Sequence, residues 1–67
     1  MKVLVNENPR EVPDAADLLH LLSEIGIEKQ KGVAVAVNGA IVPNSIWSET
    51  ELHANDQVLV VQATQGG

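Results

Sequence analysis

Two glycines, Gly66 and Gly67, close the sequence. Glycine has no side chain and adopts backbone angles that other residues avoid. A carboxylate at the end of such a segment can therefore enter a narrow channel in a partner protein without obstruction. The pattern predicts a presented C-terminal segment if the preceding residues form a compact domain. The alternative interpretation is a frayed end without a function.

Histidine and carboxylate side chains are the other groups that could do chemistry. The sequence has two histidines, His20 and His53, and no cysteine. A structural zinc site is not expected because it needs four ligands, drawn mainly from cysteine and histidine. A chain of 67 residues also has too little interior for a deep active site beside its own core. We therefore expect no catalytic residue, no metal and no bound cofactor, and we interpret both histidines and the following carboxylates as solvated surface groups: Asp14, Asp17, Glu24, Glu49, Glu51 and Asp56.

The formal net charge of −5 bears on the class of partner. Such a surface repels nucleic-acid phosphates and favours a partner with a basic docking face. No stretch approaches the roughly 20 apolar residues that a membrane helix needs, and the first apolar run is too short for a signal peptide. These observations predict a cytoplasmic protein with neither nucleic-acid nor membrane partners. We also expect the free protein to be a monomer.

The sequence pattern of the first part of the chain predicts a hairpin followed by a helix. Residues 3–5 are typical of a short buried strand, residues 6–9 of a polar turn, and residues 10–13 of the partner strand. Asp14 is expected to cap a helix that begins near Ala15 and ends near Ile25. Gly26 is expected to end that helix in the left-handed conformation. One face of the helix carries apolar residues at helical spacing: Leu18, Leu21, Leu22 and Ile25.

The second part of the chain predicts three more strands. Valine and alanine alternate strictly over residues 33–37, so the valines share one face of a strand and the alanines the other. Asn38-Gly39 is a preferred two-residue hairpin turn, and residues 40–42 return from it. A loop with a short helical turn around Trp47 follows, and Trp47 is expected to plug one edge of the core. Asn55-Asp56 form a further turn before a final apolar strand at residues 58–61.

This element order predicts an α+β fold. One main helix against a mixed sheet of four to five strands, with the last strand between the first and third, is the ubiquitin-like β-grasp arrangement. We expect one β-grasp domain over residues 1–62 and a flexible C-terminal diglycine tail over residues 63–67.

A sheet that is covered by one helix has a second face, which usually carries polar residues when it contacts water. In this chain that face would hold Leu4, Ala34 and Ala36, together with one side of the last strand. An exposed, flat, apolar surface usually marks a docking site. We therefore expect Leu4, Ala34 and Ala36 to contact a partner; ordinary tolerance of small residues is the alternative.

Four features accompany this element order and length: the hairpin at residues 35–39, residues 41–43 followed by Trp47, the turn at residues 55–58, and the diglycine end. With these features the chain resembles the sulfur carrier proteins of thiamine biosynthesis, the ThiS family, over essentially its whole sequence. Asn55 stands where the family usually has glycine, and asparagine also tolerates a positive φ. Gln65 stands where the family often has a small or aliphatic residue.

The resemblance implies a role for Gly67. An E1-like adenylyltransferase would use ATP to convert the Gly67 carboxylate to an acyl-adenylate, and a sulfur-donor protein would then replace AMP to leave a thiocarboxylate. Thiazole synthase would receive the sulfur, and Gly66 and Gln65 would give access to the carboxylate. The chain would be a protein co-substrate, not an enzyme. The lack of cysteine agrees with this, because the chain cannot carry sulfur as a side-chain persulfide.

Three other functions remain open at this point. The small subunit of molybdopterin synthase has the same fold and tail with a different sulfur acceptor, although that family tends to be longer. A ubiquitin-like modifier would instead join Gly67 to lysines through isopeptide bonds. A plain binding module with an incidental tail is the third alternative.

Overall fold

A five-stranded mixed sheet is the framework of the computed structural model, which describes residues 1–27 and 31–62. Along the chain the elements are β1 (Lys2–Val5), β2 (Asn8–Glu11), helix α1 (Leu18–Glu24), β3 (Val33–Val37), β4 (Ala40–Ile41), a 3-10 helix (Asn44–Glu49) and β5 (Gln57–Gln62). The strand order is β2-β1-β5-β3-β4, in which β1 and β5 are parallel and the other neighbours antiparallel. The predicted β-grasp, with the last strand between the first and third, is confirmed.

The first hairpin turns more tightly than the sequence pattern predicts. Asn6 and Glu7 both have a positive φ, at 49° and 71°, and they close the turn in two residues. The four-residue turn over 6–9 is therefore wrong, because Asn8 and Pro9 already belong to β2, where Pro9 pairs with Leu4. A proline is tolerated there because β2 is an edge strand.

The start of α1 also differs from the prediction. Asp17, not Asp14, caps the helix, and its Oδ1 accepts a hydrogen bond of 2.7 Å from the backbone N–H of His20. The residues before it cannot be helical because Ala15 has a φ of 64°. Asp14 lies outside the helix, where its carboxylate is 3.2 Å from the amino nitrogen of Met1.

The end of α1 confirms the predicted glycine stop. Ile25 is the C-cap, and Gly26 follows with a φ of 81°. The N–H of Ile27 then donates to the carbonyl of Leu22 at 3.0 Å, and Ile27 packs against the core. This is the hydrogen bond and apolar contact that a left-handed glycine cap allows.

The core lies between α1 and one face of the sheet. Leu18, Leu21 and Leu22 are fully buried, as the helical spacing predicts, whereas Ile25 is half-buried. Trp47 is also buried and its Nε1–H donates to the carbonyl of Val42 at 3.0 Å, which confirms that Trp47 plugs the core. The remaining buried apolar side chains come from the sheet and the loops: Val3, Val12, Val35, Val42, Leu52 and Val58. Within the described ranges, no helix is both long and apolar enough to span a membrane.

Candidate functional site

The face of the sheet opposite α1 exposes a group of apolar side chains. On β3, Val35 points into the core while Ala34 is exposed on the other face, as the alternation predicts. The sheet register places Ala34 opposite Val61 of β5, and Ala36 opposite Leu59 of β5. We call this group the outer apolar face; it consists of Leu4, Ala34, Ala36, Ile41, Leu59 and Val61.

Large side chains dominate the exposed area of the outer apolar face. Ile41 is 73% exposed, Leu59 53% and Val61 52%, whereas Leu4 and Ala36 are half-buried. The structure thus places all three residues of the expected docking site on one face, and it adds Ile41. The sequence contains the signal for Ile41, because a two-residue turn at Asn38-Gly39 necessarily pairs residue 41 with Ala36.

A shallow, open depression lies at one end of the outer apolar face, between the tips of the two hairpins. Glu7 of the first hairpin and Gly39 of the second lie on opposite sides of it, and Gln57 and Leu59 are among the other residues that line it. It is open to solvent and shares Leu4 and Leu59 with the outer apolar face.

Two asparagines fasten β5 to these hairpin tips. Asn6 Oδ1 accepts from the N–H of Val60 at 2.7 Å, and Asn6 Nδ2 donates to the carbonyl of Val60 at 3.2 Å. Asn38 Oδ1 accepts from the N–H of Gln57 at 2.9 Å, and the N–H of Asn38 donates to the carbonyl of Gln57 at 2.7 Å. Both asparagines are the first residue of a two-residue turn and both have a φ close to 50°.

Asp56 is the one carboxylate in the described parts of the chain that is buried, at 8% exposure, so its assignment to the solvated surface is wrong. Its Oδ1 accepts from Asn38 Nδ2 at 2.9 Å and its Oδ2 from the N–H of His53 at 2.8 Å. The carboxylate is buried because these two donors compensate for the loss of water. Its role is structural: it holds the turn before β5 against the second hairpin.

Both histidines form exposed pairs with acidic side chains. His20 Nε2 is 2.8 Å from Glu24 Oε1, and Arg10 Nη2 is 3.7 Å from Glu24 Oε2. His53 Nε2 is 3.5 Å from Glu51 Oε1, with the His53 side chain 72% exposed. Over residues 1–27 and 31–62, no cluster of three or more histidine or acidic side chains could hold a metal ion. These pairs lie at the surface, as expected for both histidines.

The predicted reactive segment follows β5 directly. Strand β5 ends at Gln62, five residues before Gly67. Gln65, Gly66 and Gly67 lie outside the described residues, so their expected roles stay predictions. The structure does describe the element that leads into them: β5 is paired with β1 on one side and with β3 on the other.

Comparisons with known proteins agree with this fold. The model of the ThiS family matches residues 3–67. The sulfur carrier protein ThiS of Escherichia coli (strain K12) is 33% identical over 67 residues, which is the full length of both chains.

Solved structures give the same result. The crystal structure of a thiamine biosynthesis protein (ThiS) from Geobacter metallireducens is 25% identical, with a TM-score of 0.83 and full coverage of both chains. An NMR solution structure of a thiamine biosynthesis protein from the same organism has a TM-score of 0.79 at 25% identity, over all of this chain and 88% of that one. The resemblance noted in the sequence is confirmed: the chain belongs to the ThiS family.

Proposed function

We propose that this chain carries sulfur for thiamine thiazole synthesis as a thiocarboxylate on Gly67. Membership of the ThiS family supports a sulfur-carrier role in thiamine biosynthesis. The observation that carries the finer proposal is the position of β5, a central strand that leads straight into a segment ending in Gly66-Gly67. The folded body would act as the handle and the terminal segment as the reactive arm.

The reach of this arm fits the proposed role. The arm consists of the five residues that follow β5, residues 63–67. Fully extended, they span about 16 to 18 Å. That length allows the carboxylate to enter the pocket of an enzyme while the domain stays outside, and two glycines allow it to pass a narrow entrance.

The chemistry requires activation because a carboxylate is a poor electrophile. In the first step a Gly67 carboxylate oxygen attacks the α-phosphorus of ATP, pyrophosphate leaves, and an acyl-adenylate forms. In the second step sulfur at the oxidation level of sulfide attacks the carbonyl carbon and AMP leaves with the bridging oxygen. An E1-like adenylyltransferase supplies the ATP site and a sulfur-donor protein supplies the sulfur, so the carrier needs no cofactor of its own.

We propose that the outer apolar face docks on the activating enzyme. Leu59 and Val61 lie on β5 itself, so a partner that covers this face also lies beside the strand that leads to Gly67. More than half of the surface of the Ile41, Leu59 and Val61 side chains is exposed, and burying such a surface stabilises a complex. Docking would therefore supply affinity, and the terminal segment would supply the reacting group.

The choice of sulfur acceptor tests the proposed function. Thiocarboxylate made from this chain is offered separately to thiazole synthase and to the large subunit of molybdopterin synthase. We expect sulfur transfer with thiazole synthase alone. Transfer with the molybdopterin synthase subunit alone would reassign the pathway. Lysine-linked conjugates in the native cells, without terminal sulfur, would replace the carrier role with that of a protein modifier.

A further inference from the structure

The side chain of Asn6 bonds to β5 at a position where β1 has already ended. The parallel register of β1 and β5 pairs Val5 with Val58, and the N–H of Asn6 still donates to the carbonyl of Val58 at 2.9 Å. The chain then leaves the sheet through the turn that Asn6 opens. Two residues further along β5, the backbone of Val60 is bonded to the side-chain amide of Asn6 instead.

The amide of Asn6 imitates a peptide group. Its carbonyl oxygen accepts from the N–H of Val60 at 2.7 Å and its nitrogen donates to the carbonyl of Val60 at 3.2 Å. The backbone N–H and carbonyl of Val60 are therefore both hydrogen-bonded on the side of β5 that faces β1, although β1 ends at Val5. The two residues are 54 positions apart in the chain, so this contact joins the first hairpin to the last strand.

We propose that Asn6 is a positioning residue for sulfur transfer: by holding Val60 it fixes where, and in which direction, the terminal segment leaves the domain. The proposal rests on the proposed function. Val60 lies two residues before the end of β5 and seven before Gly67. If β5 frayed from Val60 onward, the part of the chain beyond the strand would lengthen from five residues (63–67) to eight (60–67).

A longer segment between the strand and Gly67 would lower the effective concentration of the carboxylate at the enzyme's reaction site. Orientation of a reacting group contributes directly to the rate of the chemical step, and loosening it slows that step without changing remote contacts. Pairing with β3, which places Val33 opposite Gln62, limits the fraying. Loss of the Asn6 amide should therefore lower kcat and leave KM, which depends on docking through the outer apolar face, close to its original value.

Asn6→Gly is the variant that isolates the amide. Glycine tolerates the φ of 49° at this position, so the turn is kept while both bonds to Val60 are lost. Asn55→Gly is the matched control, because Asn55 has a φ of 69° and an exposed side chain, and its backbone N–H bonds to the carbonyl of Lys2. Asn6→Asp is the conservative variant, since a carboxylate still accepts from the N–H of Val60 but cannot donate to its carbonyl.

Two measurements are made on the full chain: hydrogen exchange of the Val60 amide, and steady-state thiocarboxylate formation with the activating enzyme, ATP and a sulfur donor. In Asn6→Gly we expect exchange at Val60 to accelerate about 10-fold and kcat to fall about 3- to 10-fold at unchanged KM. Asn55→Gly should change neither quantity, and Asn6→Asp should recover part of both. If Asn6→Gly does not fold, the same comparison is made between Asn6→Asp and the wild type.

The two proposals fail in different ways. If the wild type gains sulfur and Asn6→Gly gains it with the same kcat, the positioning role is overturned while the carrier function stands. A rise in KM at constant kcat would also overturn it, because Asn6 would then be a docking residue. If the wild type gains no sulfur from a competent enzyme and donor, the carrier function itself fails and the positioning role fails with it.

Discussion

Asn38 Nδ2 lies 2.9 Å from Asp56 Oδ1, so the tip of the second hairpin is joined to the turn that starts β5. The other carboxylate oxygen of Asp56 accepts from the N–H of His53 at 2.8 Å. Asp56 is buried, and both of these hydrogen bonds are partly buried. The bonds to Asn38 and His53 link parts of the fold that are 18 and 3 residues from Asp56.

Replacing Asp56 with alanine should destabilise the domain. The substitution leaves two partly buried donors without their acceptors, which costs about 1 to 3 kcal/mol in the free energy of unfolding. Urea denaturation measures the change, with Glu49→Ala as a control because Glu49 is exposed at the end of the 3-10 helix. Equal urea midpoints for the two variants would show that the hydrogen bonds of Asp56 make no net contribution to the stability of the domain.

Replacing Asp17 with alanine should destabilise α1 by about 1 kcal/mol, since it removes the acceptor for the N–H of His20 at the first turn. Asp14→Ala is the matched control: the same substitution three residues earlier, at a carboxylate that is 92% exposed and lies outside the helix. Thermal or urea unfolding compares the two. If Asp14→Ala lowered the free energy of unfolding more than Asp17→Ala did, Asp14 would be the helix cap, as the sequence pattern predicts.

Replacing Leu21 with alanine should cost about 2 to 5 kcal/mol of unfolding free energy, because Leu21 is fully buried and the substitution leaves a cavity. Leu59→Ala removes the same atoms from a side chain that is 53% exposed on the outer apolar face. We expect that control to change stability by no more than about 0.5 kcal/mol. Similar losses in the two variants would contradict the assignment of core and outer faces.

The apolar faces of these elements could be predicted from the sequence because they follow from local periodicity. Leu18, Leu21 and Leu22 recur at helical spacing, and the valine–alanine alternation separates the two faces of β3. The glycine stop at Gly26 and the turn at Asn38-Gly39 depend on single residues that tolerate a positive φ. Each of these signals lies within a few positions of the structure that it determines.

The helix cap and the fastening of β5 could not be predicted because distant residues determine them. The sequence pattern favours Asp14 as the cap, but the N–H of Leu18 bonds to the carbonyl of Thr50 at 2.8 Å, which favours a start at Leu18 and makes Asp17 the cap. The contact between Asn6 and Val60 spans 54 residues and has no spacing rule. In the sequence Asp56 looks like any solvated turn aspartate, because its partner Asn38 lies 18 residues away in the second hairpin.

A negative charge at Ala36 should weaken binding to the activating enzyme while the fold is kept. Burying an unpaired carboxylate against a partner costs several kcal/mol, so we expect affinity to fall at least about 10-fold. Ala54→Glu is the control, because it adds the same charge at an exposed turn position that is not one of the residues of the outer apolar face. Calorimetry with the enzyme measures both. Unchanged binding by a folded Ala36→Glu variant would place the interface on another surface.

The mass of the chain after activation tests the central claim most directly. Wild type and a variant that lacks Gly67 are each incubated with ATP, a cognate activating enzyme and a sulfur donor, and intact mass is read with fragmentation of the last residues. We predict that the wild type exchanges one oxygen for one sulfur at Gly67, and that the shortened chain, equally stable, gains none. Sulfur at any other residue, or none in the wild type under conditions in which the enzyme converts another family member, would contradict the account.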